Sequence, residues 1–143
     1  MPPPGVKARI DRFWRAIRRL REISEVDLNR FLSDENLIDT CERNLQIAIK
    51  ATLDVCEALI SYMKWRTPNS YREISLILLE NKIIDEFLNS KFIEAIELRN
   101  ILVHNYVYLN PKQIYNKISD LTNILIKIMN NVINYFKEKN IDP

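Results

Sequence analysis

Apolar residues recur at intervals of three and four along almost the whole chain, a spacing that predicts helices. From about Val6 to Leu32 the stripe is Ile10, Phe13, Trp14, Ile17, Leu20, Ile23 and Leu28. Ser33-Asp34 offers an N-cap for a second helix reaching about Trp65. Its seam is Ile38, Cys41, Leu45, Ala48, Thr52, Cys56, Leu59 and Met63. A further stripe of Ile47, Ala51, Asp54, Ala58, Tyr62 and Trp65 makes this helix apolar nearly all round, as central helices of bundles are. Asp54 is the polar exception on that stripe.

Arg66-Thr67-Pro68-Asn69 interrupts the periodicity, and Ser70 with Glu73 forms a capping-box signature. A short third helix is predicted over about Tyr71 to Glu80, and a fourth from about Asp85 towards Val103. Asn110 caps a fifth, with Pro111 at the first helical position, where its missing N–H costs nothing. Its seam is Ile114, Ile118, Leu121, Leu125, Ile128, Val132 and Tyr135. Four long helices with short connections predict an all-α, up-down four-helix bundle with one additional short helix. The 143 residues fit a single domain, 1–143, with residues 1–5 expected to be flexible.

Composition narrows the chemistry. The chain has one glycine, Gly5, so glycine-rich phosphate loops and dinucleotide-binding turns cannot be built. P-loop NTPases and dinucleotide-dependent dehydrogenases are thereby excluded. A single histidine (His104) and two cysteines (Cys41 and Cys56) cannot supply a zinc set from one chain. No metal site and no cofactor are expected. The cysteines lie 15 residues apart in one helical stretch, roughly 22 Å along the axis, too far to bridge. Unpaired buried thiols suit a reducing cytoplasm. With no apolar run of membrane-spanning length and no signal-peptide core in residues 1–9, a cytoplasmic protein without membrane partners is expected.

The net charge of +2 conceals an asymmetry. Between Lys7 and Arg21 stand seven basic residues and one acidic residue, Asp11, while the remainder of the chain is mildly acidic. A cationic first helix can attract a polyanion such as RNA. On charge alone the plainer reading is a solvated face, or one that meets an acidic partner.

The fourth helix carries an anomaly. Leu88, Phe92, Ala95, Arg99, Leu102 and Tyr106 fall on one line, so Arg99 interrupts an apolar seam. A guanidinium there is costly unless it is paired or meets an anion. His104 follows five residues later, about 140° round an ideal helix and ~7.5 Å along it. The two converge only if the helix loosens near His104 or if two copies of the motif face each other. Together they suffice for metal-independent cleavage of RNA. The imidazole can take the 2′-hydroxyl proton, and the guanidinium can stabilise the charge that grows on the phosphate. The bland alternative is a histidine that caps a helix end.

The octet Arg99–Tyr106 reads R-x-x-x-x-H-x-Y, with Asn100 directly after the arginine. In this motif the chain resembles the HEPN-domain ribonucleases. More particularly it is similar to the HepT toxins, the HEPN partners of minimal nucleotidyltransferase (MNT, or MntA-like) antitoxins. The likeness extends to Glu42–Ile49 followed by Leu53-Asp54-Val55-Cys56, and to Pro68-Asn69-Ser70-Tyr71-Arg72-Glu73. Together these segments cover roughly residues 35–135 in the family's order.

The resemblance implies a HEPN bundle that forms a homodimer, with the two motifs lining a shared cleft. It implies a toxin endoribonuclease of a type VII-like toxin–antitoxin system, with Arg99 and His104 as the catalytic pair and Asn100 in support. Tyr106 matches the tyrosine to which the antitoxin transfers AMP, and it can also simply pack on its seam. Asp54 matches an acidic position of the family. There it can pair with Arg99 across the second and fourth helices, or stand as an ordinary surface carboxylate. Arg12, Arg15 and Arg19 of the basic first helix would flank the cleft and guide RNA. The alternative function is a non-catalytic HEPN module that docks a minimal nucleotidyltransferase.

Overall fold

The computed structural model describes residues 5–104 and 109–140, in which every regular element is a helix. In chain order these are α1 (Val6–Ser24), α2 (Leu28–Leu32), α3 (Glu35–Tyr62), α4 (Tyr71–Glu80), α5 (Glu86–His104) and α6 (Pro111–Glu138). The four long helices α1, α3, α5 and α6 form the expected bundle. The central helix is α3, which touches each of the other five. Phe13, Leu20, Leu45, Leu59, Phe92, Leu125 and Phe136 meet in one core from which water is excluded. Among the described residues, no helix is long and apolar enough to cross a membrane.

The first helix departs from its expected course. The periodic stripe runs unbroken to Leu32, yet the chain turns after Ser24 and restarts at Leu28. In a continuous helix the carbonyls of Ser24 and Val26 would accept from N–H groups four residues on. Here they face the Tyr115 hydroxyl of α6, which donates to the Val26 carbonyl at 2.5 Å, with that of Ser24 at 3.3 Å. The turn drives Phe31 into full burial against the Tyr115 ring, 5.1 Å between centroids. A second short helix, α2, results.

The caps follow the sequence closely. Asp34 accepts from the Leu37 N–H, Ser70 from Glu73, Asp85 from Leu88 and Asn110 from Lys112. The reciprocal bond of the Ser70/Glu73 box shifts by one residue: Glu73 accepts from the Asn69 N–H. With one glycine in the chain, helix ends fall to other residues. Lys64 and Lys82 adopt left-handed φ of 58° and 60° after α3 and α4. The N–H groups of Trp65 and Ile83 then reach back to the Ile60 and Leu78 carbonyls, a Schellman closure at each end. Gly5 sits where positive φ is needed, at the N-cap of α1 with φ 81°. The expected flexibility of residues 1–5 concerns positions that, Gly5 apart, lie outside the described residues.

Cys41 and Cys56 are both buried and unpaired on α3. Burial, with Glu42 nearby, pushes the Cys41 thiol up to about 12, and burial raises Cys56 further still. Both are neutral, packed thiols at physiological pH.

Candidate functional site

Helix α5 presents Leu88, Phe92, Ala95 and Leu102 to the core, and Arg99 lies on the same line. Its guanidinium is half-buried. The Nε–H is fully buried and has no hydrogen-bond partner, and no carboxylate pairs with the group among the described residues. What it does meet is an aromatic face. The Arg99 Cζ lies 5.3 Å from the ring centroid of Tyr71, the first residue of α4.

Arg99 lines a cleft of about 440 Å³ between α1 and α3. Arg9 and Arg12 line it from α1, and Arg43, Gln46, Lys50 and Asp54 from α3. These α3 residues recur at three- and four-residue spacing and so share one face. Five cationic side chains thus surround one carboxylate. Asp54 does not pair with Arg99. Its carboxylate accepts from Lys50 Nζ at 2.5 Å and lies 3.4 Å from Arg9 Nε, with about a quarter of the side chain exposed. The expected Asp54–Arg99 pair is corrected by the crossing of α1 over α3, which brings Arg9 to the carboxylate instead. Partial burial works against the charge on Lys50, yet the hydrogen bond and attraction of Asp54, aided by Tyr71, hold its pKa above the ordinary lysine value.

A second groove continues the first along α1. It is lined by Arg12, Arg15, Arg19 and Asn44, and shares Ala8, Arg12 and Ile47 with the cleft. The three arginines are exposed. Asn44 donates to the Thr40 carbonyl while its own buried carbonyl oxygen has no partner among the described residues. Arg18 and Arg21 point elsewhere, beside Glu22 and Glu25 on another side of α1. The basic excess therefore divides, and one part forms a cationic track that joins the cleft lined by Arg99.

His104 is the exposed last residue of α5 and does not line this cleft. The helix runs unbroken from Glu86 to His104, so no loosening within it brings His104 round to Arg99 in one chain. Asn100 is exposed beside Arg99. Tyr106 lies outside the described residues. Arg9, Arg43, Lys50 and Tyr71 join the site although the sequence motifs assign none of them a role there. Polar residues at helical spacing on the otherwise apolar α3 were the available signal for Arg43 and Lys50. Nothing local announced Tyr71.

The model of the family described as "Ribonuclease HepT-like" matches residues 14–132, most of the chain. The chain belongs to this HepT-like ribonuclease family. Among its curated relatives is the mRNA nuclease HepT of Shewanella oneidensis, 30% identical over 96 residues, which are 67% of this chain and 71% of the relative. Another is the tRNA nuclease HepT of Aphanizomenon flos-aquae, 26% identical over 117 residues, 82% of this chain and 80% of that one. Among solved structures, the tri-AMPylated Shewanella oneidensis HEPN toxin in complex with an MNT antitoxin superposes with a TM-score of 0.84. It is 23% identical and covers 92% of this chain and 98% of its own. YutE of Bacillus subtilis, described as a cytosolic protein of unknown function, shares the fold at a TM-score of 0.79 and 18% identity, covering 94% and 90% of the two chains. At such identities these structures speak for the HEPN fold, and the family rests on the sequence match.

Proposed function

We propose that this protein is a metal-independent toxin endoribonuclease of a type VII-like toxin–antitoxin system, with Arg99 and His104 as its catalytic pair. The observation that carries this reading is the state of Arg99. Its guanidinium is held in an apolar seam, takes no carboxylate partner among the described residues, and lines a cationic cleft. A half-buried cation so placed is stabilised by an anion from outside, and a phosphodiester fits. The His104 imidazole takes the proton of the ribose 2′-hydroxyl. The 2′-oxygen then attacks phosphorus and the bond to the 5′-oxygen breaks. Arg99 stabilises the charge that accumulates on the phosphoryl oxygens. A protonated imidazole gives its proton to the departing 5′-oxygen, leaving a 2′,3′-cyclic phosphate and a 5′-hydroxyl.

One chain supplies one imidazole, on a different side of α5 from Arg99. The reading therefore includes a homodimer in which the motif of each copy faces the other, with Asn100 beside the pair. Arg12, Arg15 and Arg19 hold the RNA backbone along the α1–α3 groove. A nucleotidyltransferase antitoxin silences the toxin by AMPylation: the Tyr106 phenolic oxygen attacks the α-phosphorus of ATP and pyrophosphate leaves. The added anion, two residues from His104, excludes substrate. The buried, unpaired thiols agree with a cytoplasmic setting.

Cleavage of a single-stranded RNA by wild type, Arg99→Ala and His104→Ala in the presence of EDTA tests this reading. Loss of either group is expected to slow cleavage by about 10²–10⁴-fold, while the melting temperature stays near that of wild type. A folded Arg99→Ala protein that cleaves at the wild-type rate overturns the assignment.

A further inference from the structure

We propose that Tyr71 is the positioning residue for Arg99: its ring holds the guanidinium in place of a carboxylate and so leaves the N–H donors available to phosphate. This inference rests on the ribonuclease reading of Arg99.

A half-buried arginine is ordinarily steadied by an acidic side chain, whose two oxygens occupy its fork and cancel its charge. Such a partner would compete with a phosphodiester for the same donors. The carboxylate within the cleft, Asp54, is occupied by Lys50 and Arg9. Arg99 instead lies against Tyr71, at 5.3 Å from the ring centroid, within cation–π range. An aromatic face attracts a guanidinium through its quadrupole and takes up no N–H group. The guanidinium accordingly meets no carboxylate among the described residues while it lines the cleft, and its buried Nε–H has no partner among them either, so the ring rather than a hydrogen bond holds it. Lys50 Nζ lies 5.6 Å from the same centroid, so one ring serves both the Arg99 and the Lys50–Asp54 sides of the cleft.

The ring is itself well placed. Tyr71 opens α4 directly after the Ser70 cap, and the Ser75 hydroxyl donates to Asn89 Oδ1 at 2.7 Å, tying α4 to α5. Arg99 stands on α5, so the helix that presents the cation and the helix that presents the ring are pinned together.

The test compares wild type, Tyr71→Phe, Tyr71→Leu, Arg99→Ala and the Tyr71→Leu/Arg99→Ala double variant. The readouts are kcat and KM on a defined single-stranded RNA, with the Arg99 Nε–Hε resonance followed by NMR. Tyr71→Leu is expected to lower kcat about 5- to 30-fold, the range of a partly desolvated cation–π contact, with KM within about twofold. It should also remove the ring-current shift of the Arg99 resonance. Tyr71→Phe should retain both rate and shift, and Tyr71→Leu should have no further effect once Arg99 is alanine. An active wild type with a Tyr71→Leu variant unchanged in rate and resonance overturns the inference, as does an equal loss in the Arg99→Ala background. An inactive wild type whose Arg99 resonance still follows the ring refutes the ribonuclease reading and leaves the positioning contact standing.

Discussion

Replacing Arg12, Arg15 and Arg19 together with glutamine removes three positive charges from one wall of the α1–α3 groove. All three side chains are exposed, so their long stems and charges leave without opening the core. If each neutralises one phosphate of a single strand, each contributes about −0.7 to the slope of log K against log salt. The triple variant should therefore flatten that slope by about 2. At about 0.15 M monovalent salt the same three contacts amount to roughly 50-fold in affinity, or about 2.4 kcal/mol. Fluorescence anisotropy with a labelled oligoribonucleotide on a His104→Ala background, titrated across salt concentrations, reads both quantities without cleavage. Arg18→Gln is the control, since Arg18 lies beside Glu22 and Glu25 away from the groove. A triple variant with an unchanged slope, or an Arg18→Gln variant that flattens it as much per charge, refutes the groove as the RNA track.

Two further predictions concern the fold that carries the site. Tyr115→Phe keeps the ring on Phe31 and deletes the hydroxyl that donates to the α1–α2 turn; a cost of about 1–2 kcal/mol is expected, read as a melting temperature several degrees lower, and an unchanged value would show that water satisfies those carbonyls equally well. Lys82 is exposed with φ 60° at the end of α4, so Lys82→Gly should relieve left-handed strain and stabilise the protein by about 0.5–1 kcal/mol, where a loss of stability in urea titration would contradict the strain.

The helical class, the caps at Asp34, Ser70 and Asn110, and the central place of α3 were legible in the sequence. They depend on spacing and on side chains acting within three or four residues of themselves. Arg99 was legible for the same reason, because a guanidinium in an apolar repeat is visible as a break in pattern. The division of the first predicted helix was not. It depends on the Tyr115 hydroxyl, some ninety residues away, competing for two backbone carbonyls. Leu121, on the predicted seam of α6, is half-buried while Thr122 is buried, because the packing of neighbouring helices decides which side of a stripe faces inward.

What the amino-acid order determined alone was therefore the set of elements, the family motif and one cation out of place. What only the tertiary structure decided was the company that cation keeps. Asp54 could be placed on a face of its helix, but whether it met Arg99 or Arg9 depended on how α1 crosses α3. Tyr71 could be placed at the start of a short helix, but its contact with Arg99 required α4 to lie against α5. Periodicity reports the direction of a side chain from its own helix axis, whereas the electrostatics of a cleft depend on distances between helices, which no local pattern encodes.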